Sequence, residues 1–259
     1  MAEQVLLRER RGHVVCATMN RPRVMNALSA ELRQELAKFW RDFRDDGELR
    51  VAIIAGAGDR AFSTGRDLKE TAAADAGGTA LEFEGTGDYG YPSNIKIGKP
   101  VIAAVNGHCL AAGLMIALGS DIRICSDTAR FGNPQVTRGR GTRIPFHLSQ
   151  VGVPRAVALD MTLTGRPLDA EAALRWGLVS RVVPQASLLD EAWAIAEGIA
   201  GNSPVVVTGI KRAVELGLLD LPANEAMALW APITGMMGNT ADAVEGAKSF
   251  AEGRKGAFG

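Results

Sequence analysis

Three short apolar runs constrain the fold: RVAIIAGAG from Arg50, KPVIAAVNG from Lys99 and DIRICSD from Asp121. Each is bounded by turn-forming residues and lacks a regular polar alternation, so each reads as a strand buried on both faces. VLLRERRGHVVCATMN, Val5 to Asn20, adds two short strands that turn at Arg11-Gly12. Between them and the first buried run, Ser29 is a good N-cap, and Leu32, Leu36, Phe39, Trp40 and Phe43 recur at spacings of three and four, the stripe of an amphipathic helix. Strands alternating with helices predict an α/β fold with a largely parallel sheet covered on its faces.

Beyond Arg140 the pattern turns helical in PRAVALDMTLTG, DAEAALRWGLVSRVV and SLLDEAWAIAEGIAGN. Pro204 then suits the first turn of a new helix, and two or three more helices are expected up to Gly259. The expected organisation is a core over residues 1–203 and a helical region over 204–259. AAADAGGTALEFEGTGDYGYPSN, Ala72 to Asn94, is Gly-rich and aperiodic, the composition of a loop that walls a site.

Charge and cysteine content narrow the function classes. Lys plus Arg and Asp plus Glu stand at 29 each over 259 residues, so no net field favours a polyanion, and nucleic acid is not an expected partner. No apolar stretch approaches the roughly 20 residues of a membrane helix. The opening MAEQVLLRERRG is too charged for a secretory signal. Cys16, Cys109 and Cys125 are odd in number and lack CxxC or His/Cys spacing, which argues against a disulfide framework and against a metal site. A cytoplasmic protein with neither metal nor membrane contact is expected.

Gly56-Ala57-Gly58-Asp59-Arg60-Ala61 formally matches the dinucleotide fingerprint G-x-G-x-x-G/A. AFSTGRDL follows it in place of the apolar-periodic helix whose N-terminus a pyrophosphate needs, which argues against a nicotinamide cofactor. Read as a small-residue loop, Ala61 to Leu68 pairs instead with NGHCLAAG, Asn106 to Gly113. Both loops follow buried strands and leave backbone N–H groups uncovered by bulky side chains. Two such groups converging on one point would stabilise the enolate or tetrahedral oxyanion of a thioester carbonyl. Two ordinary strand-to-helix turns have the same composition. The apolar Leu114 to Leu118 predicts a helix whose positive dipole end, at Ala111 to Gly113, faces the same point.

Taken together, several ordered motifs are specific: NRPRVMNAL (Asn20 to Leu28), RVAIIAG leading to AFSTGRDLKE, KPVIAAVNGHCLAAG leading to SDIRICSDTARFGNP, LTGRPLDAEAALRWGLVSRVVP (Leu163 to Pro184), NSPVVVTGIKRAV and FAEGRKGAF. Over nearly its whole length the chain resembles the enoyl-CoA hydratase/isomerase (crotonase) superfamily. The resemblance implies a spiral of ββα units, a helical C-terminal region packing between the subunits of a homotrimer or dimer of trimers, and an acyl-CoA substrate, with coenzyme A arriving on the substrate and no separate cofactor. By position it puts the two oxyanion amides on Arg66 and Ala112. The CoA contacts fall near Arg23, Val24, Thr64, Gly65, Asp67 and Leu68, while Lys211, Phe250 and Lys255 are placed to meet the CoA of a neighbouring subunit. Asp67, Asp121 and Asp127 read as turn or strand-end residues rather than catalytic acids.

The chain departs from that family at two positions. Its hydratases use two glutamates, and those places in the acyl pocket hold Met115 and Gln135 here. Neither side chain exchanges a proton near neutral pH. Arg138, Arg140 and Arg143 follow in TRGRGTRIPFH, and some members carry an aspartate where Arg143 stands. A guanidinium is no general base, but it holds a carboxylate bidentately; a solvated or phosphate-touching arginine is the other reading. Of the two nearby histidines, His108 and His147, the first reads as a packed neutral residue. The expected activity is that of a lyase or isomerase on an acyl-CoA whose enolate forms without the two glutamates. Decarboxylation of a malonyl-type thioester, with Arg143 orienting the carboxylate, is the concrete case. Hydration or isomerisation by displaced groups, and a silent acyl-CoA binder, are the alternatives.

Overall fold

The buried apolar runs are neighbouring parallel strands. The computed structural model describes residues 4–67, 70, 97–218 and 221–259. Within these, β1 (Leu6–Arg11), β2 (Val14–Met19), β3 (Val51–Gly56), β5 (Val101–Val105), β7 (Ile122–Ser126) and β10 (Arg181–Val183) form one sheet in the order β1-β2-β3-β5-β7-β10. Only the β1–β2 hairpin is antiparallel in this sheet. A second sheet holds β4 (Ala61–Ser63), β6 (His108–Leu110), β8 (Arg130–Gly132) and β9 (Leu168–Asp169), in that order. Each passage from β3 to β4, β5 to β6 and β7 to β8 takes the chain from the first sheet to the second, and each repeat lands parallel to the one before. This is the spiral of repeating ββ steps, with helices closing the turns.

Burial on two faces explains the unbroken apolar runs. Val14, Cys16, Val51, Ile53, Ile102, Ala104 and Ile124 face Leu188, Ala192, Trp193 and Ala196 of helix Leu188–Ala200. The alternate residues Val15, Ala17, Ala52, Ile54, Val101 and Ala103 face the main core. That core includes Leu32, Leu36, Phe39, Trp40 and Phe43 of α1 (Ala30–Asp45), with Phe39 edge-on to Trp40 at 4.7 Å between ring centroids. Each of these large side chains contributes roughly 1.5–3 kcal/mol by leaving water. The N-cap expectation holds: Ser29 accepts from the Leu32 N–H at 3.2 Å, and Glu70 accepts from the Ala30 N–H at 2.8 Å.

The remaining helices are α2 (Ala112–Leu118), α3 (Ile144–Gln150), α4 (Arg155–Thr164), α5 (Ala170–Arg175), α6 (Leu188–Ala200), α7 (Pro204–Glu215), α8 (Ala223–Gly238) and α9 (Ala241–Ala251). One expectation is corrected: the helical reading of DAEAALRWGLVSRVV stops at Arg175, because the chain turns at Trp176-Gly177 and Arg181–Val183 joins β7 as a parallel edge strand. In α7 to α9 many large apolar residues are exposed, among them Ile210, Met227, Met236, Val244 and Phe250, and α8 buries none of its residues. Among the described residues, no helix is long and apolar enough to cross a membrane.

Candidate active site

The two small-residue loops meet because their strands are neighbours. β4 and β6 pair in parallel with Ser63 opposite Cys109. Arg66 and Ala112 each follow that register pair by three residues, Arg66 at a bridge to Leu28 and Ala112 at the start of α2. Gly65 is buried at φ +91°, where side chains are strained, and a Cβ there would lie 3.0 Å from both the Ala111 Cβ and the Ala112 nitrogen. Gly113 is as tightly held: a Cβ would come within 2.8 Å of the Ser63 Cβ and inside contact distance of the Ser63 carbonyl oxygen. Bare backbone is what fits at both points.

Local hydrogen bonds fix each loop. The buried Ser63 Oγ donates to the Asn26 carbonyl at 2.8 Å and accepts from the Gly65 N–H at 3.2 Å. An isolated parallel bridge joins Leu28 to Arg66: the Leu28 N–H donates to the Gly65 carbonyl at 2.8 Å, and the Asp67 N–H to the Leu28 carbonyl at 3.2 Å. Strand alternation then turns the Arg66 N–H away from Leu28. In the second loop the Ala111 N–H donates to the Gly132 carbonyl at 3.0 Å, while Ala111 itself adopts φ 49°, ψ −117°. A non-glycine residue in such a conformation costs on the order of 1–3 kcal/mol, a strain found where a turn must deliver a particular atom. Here it delivers Ala112 as the first residue of α2, where leading N–H groups lack partners within their own helix. Two backbone N–H groups on adjacent turns can receive a carbonyl oxygen as negative charge builds on it.

Arg23 and Val24 lie exposed on the 3-10 turn Pro22–Val24. Thr64 reaches the carbonyl of the next residue, Met25, with its N–H (3.2 Å) and its hydroxyl (3.4 Å). The structure thus brings Arg23, Val24, Thr64, Gly65 and Asp67 to one edge. Leu68 and the Gly-rich stretch 72–94 lie outside the described residues. The Asp67 carboxylate pairs with Arg21 at 3.0 Å, and Arg21 also donates to the Ala27 carbonyl at 2.6 Å. The fingerprint-like turn after β3 is filled by protein. Asn26 Nδ2 takes the carbonyls of Ala57 and Ala61, and Asn106 Nδ2 those of Gly56 and Gly58. A phosphate cradle needs inward N–H groups rather than carbonyls, and β4, not a helix, follows.

Met115 is half-buried against the core, and its N–H donates to the Ala111 carbonyl at 3.1 Å. Gln135 is half-buried, and its carbonyl accepts the N–H groups of Arg138 and Arg140, each at 3.0 Å, which folds the arginine loop back on it. Arg138 and Arg143 are exposed. One residue not singled out in the sequence stands beside them. Asn133 is fully buried, and neither its Oδ1 nor its Nδ2 has a hydrogen-bond partner among the described residues. Leaving such groups unsatisfied costs about 1–3 kcal/mol each. The only sequence signal for it is a polar residue within a strand-end run, FGNP.

The histidines and thiols lie elsewhere. His108 is exposed, not packed, because the alternation of β6 sends Cys109 into the core and His108 outward. His147 is held below its ordinary pKa by burial and by the nearby Arg143, against a raising hydrogen bond from Gln150. It lines a cavity of about 1320 Å³ at the far end of α2, with Leu118, Asp121 and Lys211. Lys211 Nζ is shared there between Asp121 Oδ1 (2.5 Å) and Glu215 Oε1 (3.2 Å). Phe250 and Lys255 are exposed at the C-terminal end. Burial pushes the Cys16 thiol up to about 11 and the Cys125 thiol up to about 12, and raises Cys109 well above its usual value, so none is a ready nucleophile. Among the described residues, no group of three or more His, Cys, Asp or Glu side chains is placed to hold a metal ion.

Known proteins resemble this chain throughout. The family described as enoyl-CoA hydratase/isomerase matches residues 9–259. The (E)-benzylidenesuccinyl-CoA hydratase of Thauera aromatica is 38% identical over 255 residues, covering 95% of this chain and 96% of the relative. The carnitinyl-CoA dehydratase of Escherichia coli (strain K12) is 36% identical over 257 residues, covering 95% and 94%. Among solved structures, an enoyl-CoA hydratase/isomerase from Mycobacterium paratuberculosis superposes with a TM-score of 0.89 at 32% identity, covering 99% of this chain and 98% of that one.

Proposed function

The chain belongs to the enoyl-CoA hydratase/isomerase family, and from that premise we propose that it is a cytoplasmic enzyme that holds a thioester enolate between the Arg66 and Ala112 N–H groups and forms it by decarboxylating a malonyl-type acyl-CoA. What supports this reading is that Met115 and Gln135, at the positions where the family's hydratases carry glutamates, have no group that exchanges a proton near neutral pH. In the step, the bond from the α-carbon to the carboxylate breaks, carbon dioxide leaves, and the bonding pair enters the enolate whose oxygen the two N–H groups receive. The α-carbon then takes a proton from water, and the hydroxide left behind is consumed as bicarbonate forms. Coenzyme A enters on the substrate, along the edge carrying Arg23, Val24, Thr64 and Asp67, with Arg143 facing the departing carboxylate. The second reading is hydration or dehydration of an enoyl thioester, favoured by the names of the relatives.

Separate incubations with methylmalonyl-CoA and crotonyl-CoA distinguish the two. Carbon dioxide released from the first and negligible hydration of the second is the expected result. Rapid hydration of crotonyl-CoA without carbon dioxide release would replace the first reading with the second. The double variant Met115→Glu, Gln135→Glu should gain crotonyl-CoA hydration, by about tenfold over the unmodified protein, short of the 10²–10⁴ that a well-positioned acid or base supplies. If wild type already hydrates rapidly and does so undiminished with both positions made Ala, other residues move the proton.

A homotrimer or dimer of trimers is part of the same proposal. The exposed apolar residues of α7 to α9 form a surface of the kind that a second copy covers. Sedimentation at micromolar concentration is expected to give a species of three or six chains. A stable monomer would remove this assignment.

A further inference from the structure

We infer that the acyl pocket selects a thioester whose acyl group carries a second carboxylate, and that Asn133 is the specificity-determining residue that receives it. Asn133 adjoins the second oxyanion loop through two successive hydrogen bonds: Met115 N–H to the Ala111 carbonyl, and Ala111 N–H to the carbonyl of Gly132, its own chain neighbour. β6 and β8 run in parallel with Leu110 opposite Gly132, so Asn133 follows at the level of Ala111. Strand alternation puts its side chain on the same face as the buried Phe131. There a carboxamide offers two N–H donors to a ligand, fully buried, with no protein acceptor among the described residues.

The surrounding charge favours an anion. Glutamates at positions 115 and 135 would repel an acyl carboxylate at short range, whereas Met115 and Gln135 admit it. From Thr128 to Leu159 the chain carries Arg130, Arg138, Arg140, Arg143 and Arg155 and no acidic residue, although the whole protein is charge-balanced. The segment holding Asn133 is therefore locally basic in a charge-balanced molecule. A charge-assisted bond from the amide orients the carboxylate while the arginines supply its countercharge at longer range.

The inference uses the oxyanion assignment above to place the thioester, but not the decarboxylation step. Methylmalonyl-CoA and isobutyryl-CoA differ by a carboxylate in place of a methyl group, and stopped-flow binding traces that precede turnover give both dissociation constants. Wild type is expected to prefer the carboxylated thioester by about tenfold or more, the scale of one hydrogen bond to a charged group. Asn133→Leu should bring the two constants together, and Asn133→Asp should reverse their order. Asn133→Leu is also expected to raise the melting temperature by about 2–4 °C, since it removes unsatisfied polar atoms, whereas an asparagine kept for structure would lower it on replacement. If Asn133→Leu does not fold, Asn133→Asp carries the test. A preference that survives both substitutions overturns the assignment of Asn133 and leaves decarboxylation untouched. Equal binding by wild type overturns carboxylate selection itself. A preference that depends on Asn133 without carbon dioxide release upholds this inference and sinks the decarboxylase reading.

Discussion

Ala112→Pro is expected to lower thioester turnover by about 100-fold or more, the loss typical of one oxyanion donor, in a protein that still folds. Position 112 opens α2, the helical position at which proline is best tolerated because its missing N–H has no intrahelical carbonyl. Proline pushes the residue before it toward the β or polyproline region, and Ala111, at φ 49°, ψ −117°, lies outside that region. The substitution deletes the donor and also bears on the turn before it, so circular dichroism and the melting temperature are read first to establish that the variant folds. Undiminished turnover in a folded variant would remove Ala112 from the oxyanion site.

Gly113→Ala tests the spacing rather than the donor. The added methyl meets Ser63 backbone, its carbonyl carbon at 2.9 Å and its oxygen nearer still, and backbone gives way less easily than a flexible side chain. α2 and the end of β4 must separate, and Arg66 lies three residues beyond Ser63. Turnover is expected to fall by about 100-fold, as displacements near 1 Å do in positioned sites. Stability should drop by about 1–3 kcal/mol from overpacking, read as a shift in the urea midpoint. A variant with wild-type turnover and stability would mean that this contact does not set the separation of the loops.

The elements legible in the sequence were those whose signal is local. The apolar strands announce themselves because both faces are buried, and α1 because its stripe and its Ser29 cap lie within one window. The second sheet was illegible: its strands are two or three residues long, too short for alternation to register, and only the spiral places them together. The same holds for pairings across the chain. Arg21 with Asp67 and Lys211 with Asp121 join residues 46 and 90 positions apart, which no spacing rule connects. Asn133 could not be recognised either, since a polar residue before a proline looks like an ordinary turn until its burial is known.

The close approach of the two loops has a further consequence. A Cβ on Gly65 would meet the Ala112 nitrogen, and one on Gly113 the Ser63 carbonyl. The separation of the two turns is thus set by main chain against main chain, and no side chain is needed to hold the measure. Side chains around it, Met115, Asn133 and Gln135 among them, are free to change the chemistry without moving the point where the charge is received.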